Sequence, residues 1–220
     1  MEKIVIFGNT GFVGSWLTEY LISSKSNIKI YGYALRPNTN PSIFKTLKHE
    51  KRIKHQEYND ILNIDKLKSF LKKINPDKII YLASQPIVKE GLENPKKTFL
   101  INNIGLINFF ESIKSLRLKK LDKLIIFTSD KVYENKEKKT RFKEEDSLGG
   151  SDPYSASKAC QEIISKSYFE SYFRNKFEMT TLRAGNIIGG GDWAQDRIIP
   201  DIIRSIFENS KLKIRNKNSV

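Results

Sequence analysis

The stretch KIVIFGNTGFVGSWLTEYL, residues 3–21, decides the fold. Its opening, KIVIFG (3–8), is a short run rich in Val and Ile, the pattern of a buried strand. The next segment has a different period. In GSWLTEYLISS (14–24) the side chains Trp16, Leu17, Tyr20 and Leu21 recur at helical spacing. Between the two, GNTGFVG sets Gly8, Gly11 and Gly14 where the chain turns from strand into helix. IKIYGYAL (28–35) is strand-like again, so this region makes one βαβ unit.

The alternation continues outward. PDKIIYLAS (76–84), KLIIFTS (123–129) and EMTTLRAGNIIG (178–189) read as strands, the last of them, counting a third strand that ends before Asp60, a sixth strand ending in glycines. DKLKSFLKKI (65–74), FLINNIGLINFFESIKSL (99–116) and SASKACQEIISKSYFESYF (155–173) read as helices. Strands alternating with helices imply a parallel sheet covered on both faces, the doubly wound α/β class. The polar segment from 134 to 152 comes directly after a strand, so it is a loop over the carboxyl edge of the sheet, where open α/β folds bind ligands.

Bulk composition narrows the function. With 220 residues, of which 39% are hydrophobic, the chain buries one sizeable core and begins a second. No run of about 18 uncharged apolar residues occurs, and the N-terminus enters a strand without a signal-peptide pattern, so a cytoplasmic protein without a membrane partner is expected. Cys160 is the single cysteine, and His49 and His55 lack partners at zinc-site spacings, so no metal is expected. The net charge of +14 asks for an acidic partner. Most of that excess is lysine interleaved with glutamate, as in NKEKKTRFKEE (135–145), and no RRM, KH, zinc-finger or bZIP pattern is present. A solvated basic surface, not a nucleic-acid footprint, is the expectation.

Two clusters carry chemistry. The glycine loop lets the backbone approach a pyrophosphate and aims a helix N-terminus at it, so Gly8, Gly11, Phe12, Val13 and Gly14 are candidate cofactor contacts. The acidic residue that would hold an adenosine ribose after the second strand is absent; Arg36 stands there, either favouring a 2′-phosphate or as a surface arginine. Asp60 and Ile61 lie where an adenine contact could sit, though Asp60 could equally cap the helix beginning near residue 63. At the other end, YSASK places Tyr154 and Lys158 one helical turn apart. A phenol needs about three units of pKa depression to act as a base near neutrality, and a neighbouring lysine cation supplies a shift of that kind. Ser129, ending a strand, can donate to the oxygen of a reacting alcohol or carbonyl. With the glycine loop, these three describe an alcohol dehydrogenation.

These residues resemble the extended short-chain dehydrogenase/reductase family, with a Rossmann fold. More narrowly, TSDKVYEN (128–135), EEDSLGGSDPYSASKACQE (144–162) and RAGNIIGGGDWAQDRIIPD (183–201) look like its CDP-glucose 4,6-dehydratase branch, from Lys3 to about Asn216. The resemblance implies a lyase that uses NAD and acts on a nucleotide sugar, giving a 6-deoxy-4-keto product for cell-surface polysaccharide, and a homo-oligomer. Tyr154 would take the proton of the sugar 4-hydroxyl, with Lys158 and Ser129 assisting, both Tyr154 and Lys158 bordering NAD. Asp130 would protonate the departing 6-hydroxyl. Sister dehydratases carry a glutamate base at the next position; here Lys131 stands there, either as a neutral amine or as a cation steadying the enolate. Both side chains reach one substrate only if the strand ends by Asp130. Ala83 and Asn103 resemble cofactor-lining positions, and Gln85, Asn186 and Arg197 substrate-lining ones. Relatives of this family continue well past the last residue here, so residues 1–188 are expected to form the NAD-binding domain and 189–220 the start of an incomplete substrate lobe.

Overall fold

Strand β1 (Glu2–Phe7) occupies the middle of the sheet and buries both of its faces. Ile4 and Ile6 pack on one side with Leu21, Ile30 and Ile53, while Val5 and Phe7 pack on the other with Tyr33, Phe70 and Phe109. That is why its residues read as a continuous apolar run without alternation. The computed structural model describes residues 1–24, 27–135 and 141–214. Residues 136–140 of the charged cluster at 135–145 and the last six residues of the expected substrate lobe lie outside the described residues.

After β1 come α1 (Phe12–Ser24), β2 (Ile28–Ala34), the short α2 (Ile43–Thr46) and α3 (His49–Arg52), and β3 (His55–Tyr58). The second half runs α4 (Ile64–Ile74), β4 (Lys78–Tyr81), α5 (Val88–Glu93), α6 (Pro95–Phe99), α7 (Gly105–Leu116), β5 (Lys123–Phe127), α8 (Pro153–Tyr168), β6 (Glu178–Leu182) and α9 (Ile198–Phe207). All six strands pair in parallel in the order β3-β2-β1-β4-β5-β6. The order reverses direction between β1 and β4, and that switch point opens a crevice at the carboxyl ends of the strands.

Helix α4 illustrates how local chemistry sets an element. The Asn63 side chain accepts from the Lys66 amide and caps it; Leu67, Phe70, Leu71 and Ile74 face the core; Asn75 ends it in the left-handed region at φ 47°, ahead of Pro76. Helix α8 starts on Asp152, whose side chain accepts from the amides of Tyr154 and Ser155 at 2.9 and 3.0 Å, with Pro153 in the first turn.

Several elements differ from the sequence expectation. The helix expected over 99–116 starts at Pro95 and passes through a π turn at Leu100–Ile104, where Asn102 and Asn103 are buried. The sixth strand ends at Leu182, not 189, because its neighbour β5 gives way to a 3-10 turn at Asp130–Val132; the last pairing contact is the Asp130 amide to the Ala184 carbonyl at 3.0 Å. Helices α5 and α9 have no counterpart in the sequence expectation. The segment after β6 folds back onto α1 and α2: the Trp16 indole donates to the Gly190 carbonyl at 2.8 Å, and Gly191 backs onto Ile43. No helix among the described residues is long and apolar enough to cross a membrane.

Candidate active site

The loop between β1 and α1 is shaped by close backbone packing. Gly8 sits at φ +82°, a conformation a side chain would strain, and a Cβ on Gly14 would lie 2.3 Å from the Gly8 carbonyl oxygen. The Gly11 amide donates to the Gly8 carbonyl at 3.1 Å and the Ser15 amide to the Gly11 carbonyl at 2.8 Å, so the turn leads directly into the helix. The amides of Phe12, Val13 and Gly14 have no acceptor within α1. No acidic side chain occupies the first turn of α1, which leaves the positive end of its dipole available to an anion. Thr10 ties the loop to the end of β2 through the Leu35 carbonyl at 2.9 Å.

Around this loop the expected adenosine-side residues fall into place unevenly. Arg36 is exposed, with its guanidinium 4.6 Å from the centre of the Tyr58 ring at the end of β3. Asp60 does not cap α4, since Asn63 does; its carboxylate instead accepts from the Leu62 amide at 2.9 Å. Ile61 is buried against Gly105 of α7. Ala83 approaches Gly8 across the switch point. Asn103 donates to the Ser157 carbonyl at 2.9 Å, and its buried side-chain oxygen has no partner. Asn9, which sequence reasoning passed over, is fully buried in the loop and likewise leaves its side-chain oxygen without a partner.

The carboxyl end of β5 and the first turns of α8 bring together the second cluster. Ser129 and Tyr154 are both buried, and the Ser129 hydroxyl is among the groups that favour the ionised form of the Tyr154 phenol. The strand ends at Phe127, and residues 130–132 turn tightly, with Val132 tucked in and Asp130 and Lys131 exposed together. The requirement that the strand end before Asp130 is therefore met. Ser129 initiates the turn: its oxygen accepts from the Lys131 amide at 3.2 Å, and its hydroxyl lies 3.1 Å from an Asp130 carboxylate oxygen.

The electrostatics differ from the simple lysine–tyrosine picture. Burial pushes the Tyr154 phenol up; the Ser129 hydroxyl and the Arg197 cation oppose that push, and the Asp130 and Asp152 charges add to it. Lys158 is itself buried and is pushed down to about 8, with the Glu162 charge opposing. Its ammonium donates to Gln161 Oε1 at 3.0 Å and to the Phe127 carbonyl at 3.3 Å. Lys158 thus reaches the end of β5 from one helical turn beyond Tyr154, and it is not among the groups that shift the phenol.

Other expected contacts turn inward. Gln85 is buried, donating to Thr98 at 2.8 Å and accepting from the Ile87 amide, so its amide is engaged within the protein and not turned toward the crevice. Asn186 is exposed after β6, and Arg197 pairs with Asp192 at 3.5 Å at the start of α9. The sequence reading missed the residues that support the site. Asn102, in the π turn, holds the Gln85 amide at 2.7 Å and the Ser157 hydroxyl at 2.8 Å, and Gln161 donates to its carbonyl at 2.7 Å. Glu162 accepts from Thr128, from Thr181 at 3.0 Å and from Arg183 at 3.1 Å. The signal for Glu162 was its place four residues after Lys158, on the same helical face. Among the described residues no three His, Cys, Asp or Glu side chains gather into a group that could hold a metal ion.

Comparison with known proteins agrees with this architecture. The family model described as GDP-mannose 4,6 dehydratase matches residues 5–215. The CDP-glucose 4,6-dehydratase of Salmonella typhimurium is 35% identical over 225 residues, an alignment spanning 100% of this chain and 61% of that protein. Among solved structures, dTDP-glucose 4,6-dehydratase from Bacillus anthracis in complex with NAD superposes with a TM-score of 0.79 at 23% identity, covering 96% of this chain and 63% of that one. The dTDP-glucose 4,6-dehydratase of Streptomyces venezuelae, with NAD and TYD bound, gives 0.82 at 16% identity, with 96% and 63% coverage. The chain thus spans about three fifths of the length of these relatives.

Proposed function

The chain belongs to the GDP-mannose 4,6-dehydratase family, and from that premise we propose that the whole protein is an NAD-dependent nucleotide-sugar 4,6-dehydratase whose substrate is CDP-glucose. The similarity to the Salmonella CDP-glucose enzyme favours the CDP sugar. The observation that carries the chemistry is the convergence of buried Ser129, at the end of β5, with buried Tyr154 of α8, with Lys158 one helical turn further and the exposed Asp130–Lys131 pair beside Ser129.

The residues present fit a dinucleotide. Gly8 and Gly14 leave no room for side chains at their own positions, the amides of Phe12, Val13 and Gly14 at the start of α1 are open to a pyrophosphate, and the orphaned Asn103 oxygen offers a buried acceptor. Gly8, Gly11 and Gly14 would cradle the pyrophosphate, Arg36, Asp60 and Ile61 would border the adenosine, and Ala83, Asn103, Tyr154 and Lys158 the nicotinamide. When bound, the nicotinamide supplies a reversible store for a hydride.

The chain's own groups then divide the work. Tyr154 takes the proton of the sugar 4-hydroxyl, and Ser129 holds the oxygen as it becomes a carbonyl. The Ser129 hydroxyl and the Arg197 cation favour the phenolate that burial otherwise disfavours, and Lys158 sits one helical turn away with its ammonium at the end of β5. The 4-keto group acidifies the C5 proton, and the exposed Lys131 beside Asp130 serves as the base that removes it. Asp130 delivers a proton to the departing 6-hydroxyl, and water leaves. Asn186 and Arg197 face the nucleotide diphosphate from the segment after β6. In this reading residues 1–188 bind the cofactor, and 189–220 begin the substrate lobe.

The test is to incubate the purified protein with NAD and CDP-glucose, with dTDP-glucose and GDP-mannose as alternatives, and to follow the mass of the sugar nucleotide. Loss of one water from CDP-glucose alone is expected. No product from any of the three, with NAD binding intact, would overturn the reading.

A further inference from the structure

Glu162 is a buried carboxylate that the chemistry above does not use. It lies four residues beyond Lys158 and eight beyond Tyr154 on α8, so all three share a helical face. One of its oxygens accepts from the Thr128 hydroxyl, and the other from Thr181 of β6 at 3.0 Å and from Arg183 at 3.1 Å. Thr128 immediately precedes Ser129, and its own amide is pinned to the Leu182 carbonyl at 2.9 Å. Arg183 extends the tie: its other nitrogen donates to the Glu144 carbonyl at 2.9 Å, and its guanidinium lies 5.0 Å from the centre of the Tyr133 ring, just after the Asp130–Val132 turn. One carboxylate therefore joins α8, the end of β5, β6 and the loop beyond the turn.

We propose that Glu162 is a positioning residue: it clamps the Ser129–Asp130 end of β5 against the Tyr154–Lys158 face of α8 and keeps Lys158 in its charged form. The inference rests on the dehydratase reading of the same site. A buried carboxylate with three donors is costly to leave half-satisfied, so its geometry is rigid. Among the described residues the charge that opposes the burial of Lys158 is Glu162, one helical turn along the same face of α8. The other ionisable groups nearby are Tyr154, Asp152 at the cap of α8, Asp130 after β5, Arg183 after β6 and Arg197 at the start of α9. The charged residues of α5 and α6 that pair, Lys89 with Glu93 and Lys97 with Glu90, do so at the surface.

Two variants separate the clamp from the charge. Glu162→Gln keeps the shape and removes the charge, so the alkaline limb of the kcat/KM profile moves about one pH unit lower. In the same variant kcat falls about tenfold while the KM for the nucleotide sugar stays within about twofold, and Glu162→Asp restores the position of the limb. Thr128→Val keeps the charge and cuts the clamp, so kcat falls with the limb unmoved. Coincident alkaline limbs in wild type and Glu162→Gln would overturn the proposal; a merely structural role would lower the melting temperature and leave the limb in place. If Glu162→Gln does not fold, an unchanged kcat in Thr128→Val overturns the clamp. If wild type shows no turnover, the dehydratase reading has failed by itself. The inference is then decided by NMR titration of the 13C-labelled Lys158 side chain: a lower midpoint in Glu162→Gln supports it, and the same midpoint sinks it.

Discussion

At the residue scale, two side chains carry sharp expectations. Tyr154→Phe removes one hydroxyl from a buried site and leaves the α8 cap on Asp152 intact, so the fold should persist. Product formation should drop by a factor on the order of 100 to 10,000, measured as water loss from CDP-glucose; full activity would sink the assignment. Lys158 ties function to stability. Its folded value of about 8 lies below the ordinary 10.5 because burial penalises the charge. Between those two values the unfolded chain holds a proton that the folded chain has released, so stability rises with pH across that window. Below about 8 both states are protonated, and the folded protein carries the full cost of the buried cation, about 3 kcal/mol. Urea unfolding of wild type and Lys158→Met at both ends of the window should show a rise in wild type that the variant lacks. The spacing of Tyr154 and Lys158 was legible in the sequence because helical geometry converts four residues into one turn. Gln161 and Asn102 were not, because a buried hydrogen-bond network depends on which elements meet in space, and Asn102 meets Gln85 and Ser157 only across the packed helices.

At the scale of elements, the β1–α1 junction is the most constrained part of the fold. An added methyl at Gly14 would press on backbone at 2.3 and 2.6 Å, where no flexible side chain can give way. Gly14→Ala should therefore cost roughly 1–3 kcal/mol in chemical denaturation. It should also weaken NAD binding by calorimetry, because the same shift moves the amides at the helix start. The opposite face of the sheet tests packing alone: Phe109 is fully buried between Phe7 and Tyr81, with ring centroids at 5.1 and 4.7 Å. Phe109→Ala should lose about 3–5 kcal/mol. Strands buried on both faces and helices with a 3.6-residue period announced themselves, so the doubly wound sheet was readable before any coordinate. Boundaries were less so. The sixth strand stops at Leu182 because β5 turns away after Phe127, and that is a fact about its neighbour, not about residues 183–189. Helix α5 was hidden for the same kind of reason: its six residues include Gly91, whose place is set by contact with Tyr154 across the helix interface.

At the scale of the whole molecule, the +14 charge acts in two opposite directions. Among themselves the excess lysines and arginines repel, which works against the compact state; toward a nucleotide diphosphate they attract, which raises its local concentration near the crevice. Ion pairs such as Arg52–Glu19 and Lys78–Glu2 offset the repulsion locally, and they are partly exposed. Salt screens both effects, with a Debye length that falls from about 10 Å at 0.1 M to about 3 Å at 1 M. Raising the salt concentration from about 0.05 to 0.5 M should therefore raise the melting temperature by a few degrees, on the order of 1 kcal/mol. Over the same range the KM for the nucleotide sugar should rise several-fold while kcat changes little, because Ser129, Tyr154 and Lys158 are buried and poorly screened. A KM that is indifferent to salt would show that the surface charge has no part in capturing the substrate. Binding then would rest on local contacts alone, with Arg197 and the free amides of α1 the first to examine by substitution.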